Sequence, residues 1–281
     1  MNSIIPFTKI HGAGNDFIVI NNRKKHIHNR DNSFIRQLCD RHKGIGADGL
    51  MLIDYQIPKQ FKLTYFNANG EMAEMCGNGA RCAVYFTHLV NPDIFDFKFN
   101  IGQSLYSGSV TGTNQVRVIW NHSPEYIDLK GLDKIISPEF ERFTFINSGV
   151  PHLILLVKSS LDDLDFLKWG PFYRNHSLFQ PAGTNVDFIK ISDNKLYIRT
   201  LERGVESETL SCGTGALAAA AAVANWEYLK LPVEIIAKGG NLKVGLTEKG
   251  QYWLEGPVYK VFNGQINRDT KNIKWFKMRQ M

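Results

Sequence analysis

Apolar residues along this chain gather in short runs that follow glycine turns. HGAGNDFIVI (residues 11–20) and NSGVPHLILL (147–156) each enter such a run through a turn, and GADGLMLI (46–53) and GTNVDFI (183–189) do so again. Short apolar runs bounded by turn residues predict β-strands. YFNANG (65–70) and IRTLERG (198–204) read as strand ends that lead to cysteine loops. Two segments break the strand pattern. Ala216 to Leu229 is dominated by alanine, the strongest helix former, and predicts a helix. Its first half is apolar on every side, which predicts burial rather than an amphipathic surface position. The matching segment Ala80 to Leu89 is also largely apolar.

These features recur in the same order in both halves, and the best-matched pair is EMCGNGARCA (74–83) with LSCGTGALAA (210–219). Gly14 lies about as far before Cys76 as Gly149 lies before Cys212. Self-similarity at fixed spacing predicts two copies of one supersecondary unit. The expected fold class is α+β, with two pseudo-symmetric domains and the active site in the cleft between them. Each domain is expected to be a curved, mostly antiparallel sheet wrapped around a buried central helix. The division falls at residues 1–121 and 122–266, with a final strand near 267–281 completing the first domain.

Composition keeps this picture and removes several function classes. The chain has 281 residues, 43% hydrophobic and 21% charged, enough for two ordinary domains. Its longest apolar run, Ala216 to Ala224, falls well short of the roughly 20 residues of a membrane span. MNSIIPFTKIHG lacks the charged and long apolar regions of a secretory signal, so the expected compartment is the cytoplasm, with no membrane partner. The net charge of +6 resides mostly in residues 268–281, which carry five basic residues against one acidic. The body is nearly neutral and shows no nucleic-acid motif, and the tail reads as a solvated basic segment. The four cysteines, at 39, 76, 82 and 212, have neither zinc spacing nor a secretory context and read as reduced thiols.

Cys76 and Cys212 each precede a Gly-polar-Gly turn that enters a helix. Unpaired N–H groups and the macrodipole at a helix start favour a thiolate, and the same donors can hold a carboxylate. A two-fold repeat can bring two such loops to one cleft, with the thiols on opposite faces of an α-carbon. One thiolate removes the α-proton while the other thiol delivers a proton from the far side, which inverts the centre. No pyridoxal phosphate motif is evident, so the thiols would act without a cofactor or a metal. Cys39 and Cys82 lack the turn and read as packing residues.

Taken together, GNDF, GADG, FNANG with CGNGARC, GTNVDFI, and ERG with ETLSCGTGA resemble the diaminopimelate epimerase family of lysine and cell-wall precursor synthesis. The resemblance runs from about Phe7 to Ile266. It implies epimerisation of LL- to meso-diaminopimelate, a small amino-acid substrate, and a homodimer. It makes Cys76 and Cys212 the two bases, with His152 and Glu202 supporting catalysis. It places Asn15, Asn67, Gly77, Asn78, Asn185, Glu202, Arg203, Gly213 and Thr214 on the substrate. The loop amides would hold the carboxylate at the reacting centre, and Arg203 would grip the distal one. The chain departs from the family at Val150, where many members have Asn, and at Gly49, where some have Gln. A racemase of another amino acid on the same fold remains open on that account. A hydrolase using Cys76 with His152, or a non-catalytic binding protein, leaves the second cysteine motif unexplained.

Overall fold

The computed structural model describes residues 3–28, 31–73, 75–181, 183–268 and 273–278. The chain forms two compact units, residues 1–119 with 256–281, and residues 120–255. The return into the first unit begins at Gly256, upstream of the 266/267 division read from the sequence.

The first unit runs β1 (Ser3–Gly12), β2 (Asn15–Asn21), α1 (Asn32–Cys39), β3 (Gly49–Ile57), β4 (Gln60–Asn67), β5 (Met72–Ala73), α2 (Gly77–Val90), β6 (Asp96–Ile101), β7 (Ser104–Gly112) and β8 (Gln115–Ile119). The second runs β9 (Glu125–Tyr126), β10 (Phe140–Asn147), β11 (Pro151–Val157), α3 (Phe166–Asn175), β12 (Asn185–Ser192), β13 (Lys195–Glu202), β14 (Ser207–Thr209), α4 (Gly213–Asn225), β15 (Val233–Ala237) and β16 (Gly240–Leu246). The long strand β17 (Tyr252–Arg268) then leads back to the first unit, where β18 (Ile273–Lys277) follows.

Pairing repeats element for element. β1–β2 and β10–β11 are antiparallel, and β2–β3 and β11–β12 are parallel across α1 and α3. β3–β4 and β12–β13 are antiparallel, and β4–β6 and β13–β15 are parallel across α2 and α4. β6–β7–β8 and β15–β16–β17 finish each sheet as antiparallel meanders. In the first unit β17 pairs with both β1 and β8, so that sheet closes on itself.

Each sheet wraps a central helix. α2 touches β1, β2, β3, β4, β7 and β8, and α4 touches β10, β11, β12, β13, β15 and β16. Gly213 to Val223 of α4 are all buried, and their alanines let strands approach on every side. The expected mostly antiparallel sheets around buried helices are therefore present in both units. α4 ends at Asn225 rather than Leu229, because Trp226 caps it and Glu227 turns to a φ of 62°.

The helices α1 and α3 were not read from the sequence. They cover the outer face of each sheet. Ile35 and Leu38 of α1 pack with Ile18, Ile20, Leu50 and Leu52, and Phe166 and Tyr173 of α3 pack with Leu153, Leu155 and Phe188. Covering on both faces explains why FIVI and LILL are continuous apolar runs rather than alternating ones.

The basic tail departs from the expected solvated segment. Residues 273–277 form β18 on β17, and Trp275 packs against Phe7 and Phe262 at ring distances of 6.4 and 6.2 Å. Arg268 forms a two-pronged bond with Asp31, 3.0 Å on each arm. The rest of the tail, 269–272 and 279–281, lies outside the described residues.

Candidate active site

The two cysteines are N-caps of the two central helices. Cys76 has φ −120° and ψ 117°, and its sulfur accepts from the Gly79 N–H at 3.4 Å. Cys212 has φ −115° and ψ 115°, and its sulfur accepts from the Gly215 N–H at 3.4 Å. Extended backbone followed by a side chain accepting from the third helical N–H is the N-cap geometry, here with sulfur in place of oxygen. Gly77 and Asn78, like Gly213 and Thr214, occupy the first helical positions, where N–H groups have no intrahelical carbonyl.

Behind Cys212 lies a chain of buried polar groups. Its sulfur is 3.4 Å from Thr214 Oγ1, which is 3.0 Å from His152 Nε2, and His152 Nδ1 is 2.6 Å from Asp187 Oδ2. His152 and Asp187 are completely buried. The Asn185 amide orients the ring. Asn185 Oδ1 accepts from the Arg203 N–H at 2.7 Å, so its amide nitrogen faces His152 Nε2 at 3.3 Å and Pro151 O at 3.2 Å. A donor there makes Nε2 the acceptor, so Nδ1 carries the hydrogen and donates to Asp187. Nε2 then has one lone pair to share between the Asn185 amide and the Thr214 hydroxyl, and the Thr214 oxygen lies within reach of the Cys212 sulfur. Thr200 donates to Asp187 Oδ1 at 2.6 Å. Ser148 donates to Thr214 O at 2.8 Å and holds the start of the helix. Burial pushes the Cys212 thiol well above its ordinary value, and the Glu202 and Asp187 carboxylates add to this. The Thr214 and Gly215 hydrogen bonds pull the other way without prevailing.

Behind Cys76 the chemistry differs. Its sulfur is 3.6 Å from Asn15 Oδ1, which also accepts from Asn78 Nδ2 at 3.4 Å. Asn15 Nδ2 is fixed by Asp48 at 2.7 Å. Asn78 Oδ1 accepts from Arg81 Nη2 at 2.8 Å, and Arg81 is fully buried. Asp16 and Asp48 sit at the edge of this group with Lys9 and Arg41. Burial raises the Asp16 carboxyl, but bonds from Arg41 and Lys9 overcome it and leave the group at about 2.

A family model described as diaminopimelate epimerase matches residues 7–107 and 144–261. The diaminopimelate epimerase of Hydrogenobaculum sp. (strain Y04AAS1) is 38% identical over 277 residues, covering 92% of this chain and 98% of that protein. That of Chlorobaculum tepidum is 40% identical over 263 residues, covering 91% and 98%. The chain belongs to the diaminopimelate epimerase family. Solved structures carry the same fold at low identity. A Bacillus anthracis protein titled as a phenazine biosynthesis protein of the PhzF family aligns with a TM-score of 0.73 at 11% identity, covering 95% of this chain and all of that one. A probable proline racemase of Agrobacterium radiobacter K84 aligns at 0.64 and 14%, covering 95% and 94%.

The family's expected residues distribute as follows within each unit. Asn15, Cys76, Gly77 and Asn78 meet at the first helix start, while Asn67 stands exposed at the end of β4, where its main chain closes a turn with Gly70. His152, Asn185, Arg203, Gly213 and Thr214 converge on Cys212, and Glu202 acts on it through its charge. The Asn185 amide is occupied by its own unit, tying the Arg203 main chain to His152. Cys39 and Cys82 are buried in packing, as expected, and burial pushes the Cys39 thiol up to about 12.

Sequence reasoning missed Asp187, Thr200 and Arg81. Asp187 had a signal, a carboxylate inside the apolar run VDFI, and Arg81 had one too, a cation inside the small apolar helix GARCAV. Gly49 is explained by contact. A Cβ there would lie 2.4 Å from Phe66 O and 2.5 Å from a Tyr65 ring carbon, so Tyr65 fills the space into which a Gln would extend. Nothing described explains Val150, which is half-buried beside Gly149.

Proposed function

We propose that this chain epimerises LL-2,6-diaminopimelate to meso-diaminopimelate without a cofactor, in the supply of lysine and peptidoglycan precursors. The observation that carries this reading is the matched geometry of two cysteine N-caps, one in each copy of a duplicated unit. Each offers a sulfur beside the first N–H groups of a buried helix, the arrangement that a carboxylate and a thiolate both favour.

The step balances with two sulfurs. A thiolate at one cysteine takes the α-proton from one face, and the thiol of the other gives its proton to the opposite face. The enzyme is left with thiol and thiolate exchanged, ready for the reverse direction. Helix-start N–H groups at Gly77, Asn78, Gly213 and Thr214 hold the α-carboxylate and stabilise the charge that develops as the proton leaves. Arg203, with its main chain fixed by Asn185, takes the distal carboxylate, and Asn15 and Asn67 contribute amides. The Gly215 N–H stabilises the Cys212 thiolate left once its proton has gone to substrate, and the His152–Asp187 pair fixes Thr214 beside it. Glu202 holds Cys212 toward the thiol form.

The protein works as a cytoplasmic homodimer on this reading. A racemase of another amino acid is the second reading, and one observation speaks for it: the Tyr65 ring closes the space beside Gly49. Cα–H exchange in D2O decides, followed by NMR with reduced protein, LL-diaminopimelate and a panel of other amino acids. Deuterium entering one centre of diaminopimelate with formation of the meso isomer supports the first reading. Exchange only with another amino acid selects the second, and exchange with nothing sinks both.

A further inference from the structure

Arg81 poses a problem that the reaction as described does not use. Its side chain is completely enclosed, yet among the described residues no carboxylate lies within ion-pair distance. Its Nη2 donates to Asn78 Oδ1 at 2.8 Å and its Nη1 reaches Gly77 O at 3.5 Å, while Nε has no hydrogen-bond partner. A guanidinium stays protonated in proteins, and a buried charge without an opposite charge is costly. The missing anion must be close. Arg81 is the fifth residue of α2, one turn beyond Cys76, and the ionisable groups whose charge acts on it are the thiols of Cys82 and Cys76. Cys82 is sealed in the core, where burial keeps it a thiol. Cys76 is partly exposed.

Among the described residues the surroundings offer no rival counter-ion. On the strands packed against α2, burial pushes the phenols of Tyr55 on β3 and Tyr106 on β7 further above their ordinary value, and Asp54 of β3 pairs with Lys25 at 2.7 Å. Lys9 of β1 and Asp16 of β2 pair with each other at 2.7 Å, and Arg41 bonds Asp16 and Asp48, so that cluster carries two charges of each sign. His11 lies on β1 against Tyr259. Gly12 of β1 lets the strand pass close to α2: a Cβ there would lie 3.1 Å from Cys82 Sγ and 3.2 Å from Asn78 O.

We propose that Arg81 is the positioning residue that holds Cys76 as the resting thiolate of the enzyme, so that the two cysteines are unlike before substrate arrives. Arg81 acts in two ways. Its charge balances the sulfur anion, and its bond to Asn78 aims the Asn78 amide nitrogen at Asn15 Oδ1. Asn15 Oδ1 thus keeps a donor after the Cys76 proton has gone. When Cys76 has taken a proton from substrate, that same oxygen receives the thiol hydrogen at 3.6 Å. What the thiolate then does rests on the epimerase reading, but its ionisation does not.

The test is iodoacetamide labelling across pH on the reduced full chain, with Cys76 and Cys212 followed separately by peptide mass. In the native protein Cys76 labelling rises half-maximally below the ordinary thiol value of about 8.5. In Arg81→Met the Cys76 profile moves up by at least about one pH unit, about a tenfold slower reaction at neutral pH, while the Cys212 profile stays. Arg81→Lys, which keeps the charge, restores most of the shift. A folded Arg81→Met protein whose Cys76 profile overlays the native one overturns the proposal. So does a native Cys76 profile at or above the ordinary value, which needs no variant. Native protein that shows the low Cys76 profile but no Cα exchange with diaminopimelate sinks the epimerase reading and leaves Arg81's role standing. Exchange with an unmoved Cys76 profile does the reverse.

Discussion

Under the second cysteine loop lies a carboxylate, and under the first a thioether. Gly215 of the second loop stands against Asp187 and Gly79 of the first against Met51, and each glycine is the third residue after its cysteine. Asp187 and Met51 are both the third residue of their strands, β12 and β3. The duplication has kept backbone, helix caps and strand order while replacing the interior chemistry of one copy. The first unit has a buried cation, Arg81, and an amide pair. The second has a buried carboxylate and imidazole. Two thiols with one geometry therefore meet opposite electrostatic surroundings, which suits the proposed pair of one thiolate and one thiol.

The sharpest way to break this comparison is to remove each sulfur in turn. Cys76→Ser and Cys212→Ser are each expected to lower turnover of LL-diaminopimelate by about 10³-fold, because a hydroxyl is a far weaker acid than a thiol. Steady-state epimerisation on both variants checks this. A Cys212→Ser protein that keeps native turnover would show that only one half is chemical.

The next effect separates Asp187 from Met51. Asp187→Asn is expected to lower kcat by about 10²-fold and stability by about 3 kcal/mol, because the amide leaves the His152 hydrogen on either nitrogen and strands a buried group. Met51→Leu conserves volume and is expected to cost less than about 1.5 kcal/mol with kcat within a few-fold. Thermal melts and kcat for the pair sharpen the comparison. Equal losses in both would mean that the position is structural in each unit.

The repeat, the central helices and the cysteine loops were legible in the sequence because each rests on local signals: glycine turns, apolar runs and a stretch of alanine. The outer helices α1 and α3 were not. NSFIRQLC has its apolar residues at helical spacing but is short and carries no side-chain cap, and FLKWGPFYRN contains glycine and proline that argue against a helix. Only packing on the sheet's outer face makes them form. The site shows the same division. Cys76, Cys212 and the loop amides announce themselves by spacing, whereas Asp187, Thr200 and Arg81 acquire meaning only when β12, β13 and the helices fold around them. Asn185 was read as a ligand for substrate, and its amide also ties His152 to the Arg203 main chain, a link made through space.

Strand starts give a smaller contrast. β3 begins with Gly49 and β12 with Asn185. Gly49→Ala forces a Cβ against Phe66 O and the Tyr65 ring, and overpacking of this kind is expected to cost about 1–3 kcal/mol. Tyr65→Ala in the same chain relieves the ring contact but not the carbonyl, so it recovers part of the loss. Chemical denaturation of the single and double variants measures both, and full recovery would place the whole strain on the ring.

The smallest expected effect lies in the ion cluster of the first unit. Asp16 and His152 are the second residues of β2 and β11, but Asp16 is half-buried among Lys9 and Arg41 where His152 is sealed. A carboxyl held at about 2 in the folded protein binds its proton later than in the unfolded chain, whose ordinary value is about 3.9. The stability it contributes is present above the ordinary value and is lost as pH falls through about 2. Arg41→Met removes one of its two cations and lets the carboxyl rise, which flattens that acid limb. Arg41 is 55% exposed and screened by solvent, so the loss at neutral pH is expected to stay within about 1 kcal/mol. Stability measured at pH 7 and near pH 3 reads the difference: it should shrink in Arg41→Met, and an unchanged difference would mean that Lys9 alone holds Asp16.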